Sequence, residues 1–230
     1  MRPAKSALQM LEIQSSPMQA TRIIAIRHGE TAWNVDARIQ GQIDIELNET
    51  GRWQAQRVAQ ALVDEPISAV YSSHLLRAWE TARVIAQHNR LAAEPCADLR
   101  ERSFGVFEGM TFPEVEAAWP DQARCWRRRE PDWAPEGGET LAQLQARIVQ
   151  TTSALAQRHA GEQIVLVAHG GVMDMLYRAA TGQDLQTARS WNLANATINR
   201  LLWTPQGLTL IGWADTRHLE NDEALDESSV

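Results

Sequence analysis

Short apolar runs alternate along the chain with longer segments in which apolar residues recur every three or four positions. Three of the runs, Thr21–Arg27 (TRIIAIR), residues 68–72 (SAVYS) and Gln163–Ala168 (QIVLVA), have the length and the β-branched content of buried strands. Because they are apolar throughout rather than alternating, we expect helices to cover both faces of the sheet that they form.

The segments between these strands predict helices. Asn48 is a candidate N-cap for a helix that Pro66 closes, and Leu76–His88 has the pattern of a second helix. A long helix precedes the third strand, and another begins at Val172. The apolar positions that define the first and the long helix are Ala55, Val58, Ala59 and Leu62, and Leu141, Leu144, Ile148 and Leu155.

This order of elements predicts a three-layer α/β/α fold with a mainly parallel sheet. Residues 195–203 and 208–213 flank a TPQG turn and predict a hairpin at the sheet edge, which could pair in a homodimer. We assign one domain to residues 21–214, with an insertion at about 103–138 where prolines and tryptophans interrupt the pattern. Residues 1–20 are predicted to be a flexible N-terminal segment, and residues 215–230 an acidic disordered tail.

The distribution of charge changes what the composition implies. The 230 residues carry a net charge of -7, yet the last twelve residues hold five carboxylates and no basic side chain. The preceding residues therefore carry only -2, which does not disfavour an anionic substrate. With 44% hydrophobic and 22% charged residues, the composition is that of an ordinary globular protein.

Sorting signals and nucleic-acid motifs are weak in this sequence. The first 19 residues lack the continuous apolar core of a signal peptide, and no apolar run approaches the roughly 20 residues that span a bilayer. Cys96 and Cys125 match no metal-binding spacing, so we interpret them as reduced thiols. The arginines at 127–129 are too few for a nucleic-acid surface and are interpreted as solvated. We therefore expect a cytoplasmic protein with no membrane or nucleic-acid partner.

Histidines and arginines stand where the predicted strands end. Arg27 and His28 follow the first strand, Arg77 lies a turn beyond the second, and His169 follows the third in an AHGG motif. Ligands of open α/β sheets bind beyond the carboxyl ends of the strands, so we expect these side chains to converge. Guanidinium groups bind phosphate in a bidentate manner, and glycines at 29, 170 and 171 would let a phosphate approach backbone N–H groups. The pattern predicts a phosphate pocket, and the absence of paired metal-ligand spacings predicts no metal and no other cofactor.

Five motifs in order resemble the histidine phosphatase superfamily, which includes the cofactor-dependent phosphoglycerate mutases. The resemblance runs from about residue 21 to residue 213. The motifs are RHGETAWN at residues 27–34, QG at Gln40 and Gly41, SSHLLRAWETA around Arg77, LRERSFGVFEG around Glu101, and AHGG at His169. This resemblance implies a phosphoglycerate mutase-like fold and a two-step phosphoryl transfer through a phosphohistidine.

The resemblance also implies roles for individual residues. His28 corresponds to the nucleophile and Glu101 to the proton donor, and His169 completes the catalytic set. Arg27, Arg77 and Asn34 correspond to phosphate contacts, and Gln40, Gly41 and Gly170 to weaker substrate contacts. A neutral imidazole can attack phosphorus directly, and cations stabilise the equatorial oxygens of an in-line transition state.

Hydrolysis is the reaction that we favour from the sequence. In the mutases, the motif around the position of Glu101 resembles ERHYG and is followed by a stretch that contains lysine. This chain has Ser103 and Phe104 in place of the H and Y of that motif, and it has no lysine after Lys5. Its pattern is similar to that of broad-specificity phosphatases, so we expect hydrolysis of a small phosphorylated metabolite. A cofactor-dependent phosphoglycerate mutase and a catalytically silent phosphate-binding or scaffold protein remain the alternatives.

Overall fold

Six strands form one sheet in the computed structural model, which describes residues 20–220. In chain order they are β1 Thr21–Arg27, β2 Ala69–Ser72, β3 Ala93–Pro95, β4 Gln163–Ala168, β5 Ile198–Thr204 and β6 Gly207–Asp215. Across the sheet the order is β3-β2-β4-β1-β5-β6. The first four of these strands run parallel, and the β5–β6 hairpin pairs antiparallel to β1, which confirms the predicted mainly parallel sheet with an edge hairpin.

Seven α-helices lie among the same residues. They are α1 Ala32–Val35, α2 Glu49–Ala61, α3 Leu76–His88, α4 Phe112–Ala118, α5 Pro120–Arg127, α6 Leu141–Arg158 and α7 Gly170–Thr181. No helix of residues 20–220 is both long and apolar enough to cross a membrane. Asn48 caps α2 as predicted, because its side chain accepts a hydrogen bond from the Gly51 N–H at 2.7 Å.

The core lies on both faces of the sheet, as the continuous apolar strands predict. Ile23 and Ala25 of β1 pack in the cluster that contains α6 and α7, whereas Ile24 and Ile26 pack in the cluster with α2 and α3. All four are at most 1% exposed. Burying a side chain of this kind contributes about 1.5–3 kcal/mol, so this layering fixes the register of β1 and the position of the residues that follow it.

The insertion forms a third, smaller cluster around Phe107. Its helices α4 and α5 pack aromatic side chains together, and the rings of Phe107 and Trp126 stack with centroids 5.6 Å apart. The edge strand β3 was not predicted, because three residues that include Glu94 and Pro95 give no periodic pattern. The aromatic cluster places Phe104 and Trp126 beside the ends of the central strands.

Three predictions about boundaries and surfaces are wrong in detail. The segment from residue 215 is folded through Glu220, where Leu219 packs on the α2 and α3 cluster and Arg57 Nε donates to the His218 carbonyl at 2.7 Å. Helix α7 begins at Gly170 rather than at Val172, because the weak helix propensity of glycine concealed its first turn. Arg129 is not solvated: it pairs with Asp174 at 2.6 Å, and its side chain is 20% exposed. The predicted flexible segments at residues 1–19 and 221–230 lie outside the described residues.

Candidate active site

The ends of β1 and β4 bring the two predicted histidines together. These strands are parallel neighbours in which Arg27 pairs with Ala168, so the residues that follow them emerge side by side. The rings of His28 and His169 have centroids 5.2 Å apart, and the two residues are 2% and 0% exposed. The predicted convergence of the strand ends is therefore observed for this pair.

Arg77 enters the same place from the first turn of α3. It is 1% exposed, and its Nη1 and Nη2 donate to the carbonyls of Ile43 and Gly41 at 2.9 and 2.7 Å. Its buried Nε has no hydrogen-bond partner among the described residues. These bonds fix the guanidinium and shape the loop that carries Gln40 and Gly41, and they leave the Nε–H without a protein partner within residues 20–220.

Arg27 is held in a similar way. Its Nη1 donates to the Leu193 carbonyl, and its buried Nε is unpartnered within residues 20–220. Burial lowers the pKa of Arg27 to about 10, with further lowering by Arg189 and Arg77 and a partial opposing effect of Glu101. The side chain therefore stays a cation at neutral pH, and the cost of burying that cation favours an anion beside it.

The histidines are held neutral by their surroundings. Burial, and then the charges of Arg77 and Arg27, hold the pKa of His28 well below its usual value. Its Nδ1 lies 2.7 Å from the Gly29 carbonyl, so Nδ1 carries the proton and Nε2 keeps a free lone pair. Burial, Arg77 and His28 lower the pKa of His169 in the same way. Neither ring nitrogen of His169 has a hydrogen-bond partner among the described residues.

Glu101 is fixed by two backbone donors. Its Oε1 accepts from the Arg102 N–H at 2.8 Å, and its Oε2 accepts from the Gly171 N–H at 3.0 Å, in the first turn of α7. A Cβ at position 171 would lie 2.3 Å from Glu101 Oε1. The missing side chain at position 171 therefore leaves room for the carboxylate of Glu101. Gly29 is likewise required by close packing, since a Cβ there would lie 2.4 Å from the Gly51 carbonyl oxygen.

A cavity of about 160 Å³ collects most of the predicted site residues. It is lined by Arg27, His28, Asn34, Gln40, Gly41, Arg77 and Glu101, together with Arg38, Ile39, Phe104 and Trp126. We call this cavity the phosphate pocket. His169 does not line it but contacts His28, and Gly170 lines a second, adjoining cavity.

The second cavity has a volume of about 360 Å³ and shares Arg27, Phe104 and Trp126 with the first. We call it the outer pocket. Its other charged residues are Arg102, Arg129, Asp174 and Arg189, and its apolar wall is formed by Leu141, Leu144, Met175 and Leu193. The site thus consists of a smaller cavity with three arginines and a larger cavity with a mixed lining, and the two share part of their walls.

Asn195 is a site residue that the sequence did not reveal. Its Nδ2 donates to the His28 carbonyl at 2.9 Å and lies 3.3 Å from both the Gly29 carbonyl and Asn34 Oδ1. It precedes β5, which runs antiparallel to β1, so the beginning of that strand lies beside the end of β1. The predicted hairpin contained a signal for this residue. An antiparallel strand begins at the same edge of the sheet at which its parallel neighbours end, so the residue before β5 lies near the residues after β1.

Titratable side chains elsewhere do not form a metal centre in the described part of the chain. No group of three or more His, Cys, Asp or Glu among residues 20–220 is arranged to hold a metal ion. Cys96 and Cys125 are both unpaired and only partly buried. The ionisable side chains that line the phosphate pocket are those of His28, Glu101, Arg27, Arg38 and Arg77.

Comparison with known proteins places the chain among sequence and structural relatives. The family model of the histidine phosphatase superfamily (branch 1) matches residues 23–216. The chain is 38% identical over 210 residues to phosphoglycerate mutase-like protein 4 of Arabidopsis thaliana, with 90% of each chain covered. It is 36% identical to the metal-independent phosphoserine phosphatase of the same plant, covering 88% of this chain and 85% of the relative. Among solved structures, a mycobacterial glucosyl-3-phosphoglycerate phosphatase superimposes with a TM-score of 0.77 at 30% identity, covering 86% of this chain and all of the other.

The extent of these matches decides the family. The family match spans nearly all of the described residues, and two relatives above 30% identity are covered over most of their length. The fold, with its mainly parallel sheet and edge hairpin, agrees with that of the solved neighbour. The chain belongs to branch 1 of the histidine phosphatase superfamily.

Proposed function

We propose that the protein hydrolyses phosphate monoesters of a small metabolite through a phosphohistidine on His28. The observation that carries the proposal is a cluster of buried, unpartnered polar groups around a neutral imidazole. Arg27 Nε, Arg77 Nε and the ring nitrogens of His169 lack partners within residues 20–220, beside a His28 Nε2 that is free to attack. Buried donors without partners are costly, and an anion that accepts from them removes that cost.

In the first step, His28 Nε2 attacks phosphorus and the P–O bond to the alcohol breaks. The proton for the departing oxygen comes from Glu101, whose carboxyl group lines the phosphate pocket. Arg27, Arg77 and His169 stabilise the charge on the equatorial oxygens. Because backbone carbonyls already hold the two guanidinium groups, these need little rearrangement in the transition state.

In the second step, a water molecule attacks the phosphohistidine and the P–N bond breaks. The Glu101 carboxylate takes a proton from that water, and inorganic phosphate leaves with His28 restored. One carboxyl group therefore acts first as an acid and then as a base. The outer pocket gives water a path to the phosphoryl group once the alcohol has gone.

The relatives support hydrolysis of small phosphate esters. Two named relatives are phosphatases of phosphoserine and of glucosyl-3-phosphoglycerate, whereas a third is mutase-like. The mutase alternative makes a different demand on the site, because a mutase must return the phosphoryl group to the bound alcohol before water reaches it. Phe104 lines both cavities. It belongs to the segment after Glu101 in which the sequence patterns of mutases and phosphatases differ.

The proposal is tested by phosphate release from p-nitrophenyl phosphate, 3-phosphoglycerate and phosphoserine. We expect turnover by the natural chain and a loss of at least about 1000-fold in His28→Ala, the order of effect seen when a nucleophile is removed. Arg128→Gln, a change at an exposed arginine that lines neither cavity, serves as the control. Efficient interconversion of 2- and 3-phosphoglycerate with little release of phosphate would favour the mutase. Full activity in His28→Ala would contradict the proposal.

A further inference from the structure

Glu108 is a carboxylate of the insertion that the proposed chemistry does not use. It directly follows the short 3-10 helix Gly105–Phe107 and lines neither the phosphate pocket nor the outer pocket. Its Oε1 accepts two backbone hydrogen bonds, from the Phe104 N–H at 2.9 Å and from the Gln42 N–H at 3.1 Å. One carboxylate oxygen thus joins the insertion to the loop of residues 40–43, part of which lines the phosphate pocket.

The Gln42 N–H belongs to the same peptide bond as the Gly41 carbonyl, and we call this group the 41–42 peptide. Its carbonyl accepts a hydrogen bond from Arg77 Nη2 at 2.7 Å. A single peptide group therefore lies between a carboxylate and a guanidinium, with its N–H bonded to Glu108 and its C=O bonded to Arg77. Because the peptide bond is planar, the direction of its N–H fixes the direction of its C=O.

The close approach of Glu108 to this loop depends on Gly41. A Cβ at position 41 would lie 2.1 Å from Glu108 Oε1 and 2.4 Å from its Cδ, which is too short for a van der Waals contact. The φ angle of Gly41 is +51°, in the left-handed region that favours glycine. The missing side chain leaves room for the carboxylate, and the Gln42 N–H that follows points at it.

We propose that Glu108 is a positioning residue, which holds Arg77 in place for the phosphoryl group by fixing the 41–42 peptide. This inference rests on the proposed function, in which Arg77 stabilises the equatorial oxygens. Hydrogen bonds in a chain polarise one another, so a carboxylate on the N–H also strengthens the C=O as an acceptor. Without the Glu108 oxygen the peptide group is free to rotate, and the guanidinium loses the partner that orients it.

Other contacts keep the two segments together when Glu108 is replaced. Ile39 exchanges two backbone hydrogen bonds of 2.8 Å with residues 109 and 110. The Gln42 Nε2 donates to the Glu101 carbonyl at 3.2 Å. None of these bonds uses the Glu108 side chain, so we expect its replacement to free the 41–42 peptide without unfolding the insertion.

Three replacements of Glu108 separate the hydrogen bond from the charge. Glu108→Ala removes both, Glu108→Asp keeps the charge on a side chain that is one methylene shorter, and Glu108→Gln keeps an acceptor oxygen at the same reach. We expect kcat/KM for p-nitrophenyl phosphate to fall about 100-fold in the first two, as a misplacement of about 1 Å at a site can do. Glu108→Gln should stay within about 5-fold of the natural chain. Glu136→Ala, at an exposed carboxylate of the insertion that lines neither cavity, is the control.

The dependence on substrate shows which of the two bonds to Glu108 Oε1 matters. Every substrate presents the same phosphoryl oxygens to Arg77, so Glu108→Ala should lose the same factor on p-nitrophenyl phosphate, phosphoserine and 3-phosphoglycerate. A loss confined to one alcohol would place the effect on Phe104 and the outer pocket, and would overturn the inference. A Glu108→Gln variant as slow as Glu108→Ala would also overturn it, because the charge and not the hydrogen bond would then be responsible.

A double-mutant cycle tests whether Glu108 acts through Arg77. In the Arg77→Ala background the guanidinium is absent, so the addition of Glu108→Ala should change kcat/KM by less than about 3-fold. If the second replacement instead lowers kcat/KM by the same factor as in the natural chain, the two side chains act independently and the inference fails.

Binding of inorganic phosphate keeps this inference separate from the hydrolase proposal, because binding needs no turnover. Calorimetry should show an affinity about 10-fold weaker in Glu108→Ala and Glu108→Asp than in Glu108→Gln, Glu136→Ala and the natural chain. Full hydrolysis and unchanged phosphate affinity in Glu108→Ala would overturn the inference and leave the hydrolase intact. A natural chain that hydrolyses no ester, with this same order of phosphate affinities among the variants, would overturn the hydrolase proposal and leave the positioning role intact.

Discussion

Replacing Gly171 with alanine should displace the proposed acid without unfolding the protein. The new Cβ would lie 2.3 Å from Glu101 Oε1 and 3.5 Å from Leu144 Cδ2. The distance to Leu144 is an ordinary van der Waals contact, whereas the distance to Glu101 is too short. The carboxylate must therefore move by about 1 Å to reach van der Waals separation from the new Cβ. Because the displaced atom is the end of a flexible side chain and alanine favours the helix by about 1 kcal/mol over glycine, we expect the stability to change little.

Displacement of the Glu101 carboxylate should lower kcat, and the size of this loss should depend on the leaving group. A misplacement of about 1 Å at a reacting group can lower the rate about 100-fold. We therefore expect Gly171→Ala to lose about 100-fold in kcat on phosphoserine, whose alcohol must be protonated. The loss should be only a few-fold on p-nitrophenyl phosphate, whose phenolate leaves without a proton.

The assay compares kcat for the two esters in Gly171→Ala, Glu101→Gln and a control variant. Gly212→Ala is a suitable control, because a Cβ at Gly212 meets nothing within 4 Å among the described residues. Glu101→Gln should reproduce the dependence on the leaving group. Equal losses on both esters in Gly171→Ala, or none relative to Gly212→Ala, would refute the placement of the acid.

Two further predictions concern the histidines and their support. The pKa values of His28 and His169 lie well below 6.5 in the folded protein and return to about 6.5 on unfolding. The unfolded chain therefore binds more protons below pH 6.5, and the free energy of unfolding should fall as the pH is lowered from 7 to 5, with a contribution from each histidine. Urea unfolding should show a shallower pH dependence in His169→Gln, and an unchanged slope would contradict the burial argument. Asn195→Ala removes the donor to the His28 carbonyl and should lower kcat about 10-fold on both esters alike, because it positions the nucleophile rather than the acid. Gln186→Ala, at an exposed position between α7 and β5, should have no such effect, and a loss confined to phosphoserine would argue against this role of Asn195.

The sequence could predict that the site residues converge, because the apolar runs define where the strands end and the parallel sheet brings those ends to one edge. The buried strands β1 and β4 have unmistakable apolar runs, and once they are parallel neighbours the residues after them must meet. Arg77 follows from the same logic through β2 and the start of α3. Local sequence therefore suffices for residues whose position is fixed by the end of a regular element.

The parts that the sequence did not predict depend on contacts between distant segments. The need for glycine at 171 comes from a carboxylate 70 positions away in the chain. The burial of Arg129 comes from Asp174 on a different helix, and the role of Asn195 comes from the pairing of β5 with β1. None of these partners leaves a periodic signal, so only the folded arrangement reveals them.

The measurement that tests the central claim most directly is the trapping of the phosphoryl group on the enzyme. The natural chain is mixed with a labelled phosphate monoester, quenched within the first turnover and digested for mass spectrometry under alkaline conditions, which preserve phosphohistidine. We predict a phosphoryl group on the peptide that contains His28, which disappears in His28→Ala and on acid treatment. Rapid hydrolysis with no phosphoryl group on His28, or with the label on another side chain, would contradict the account.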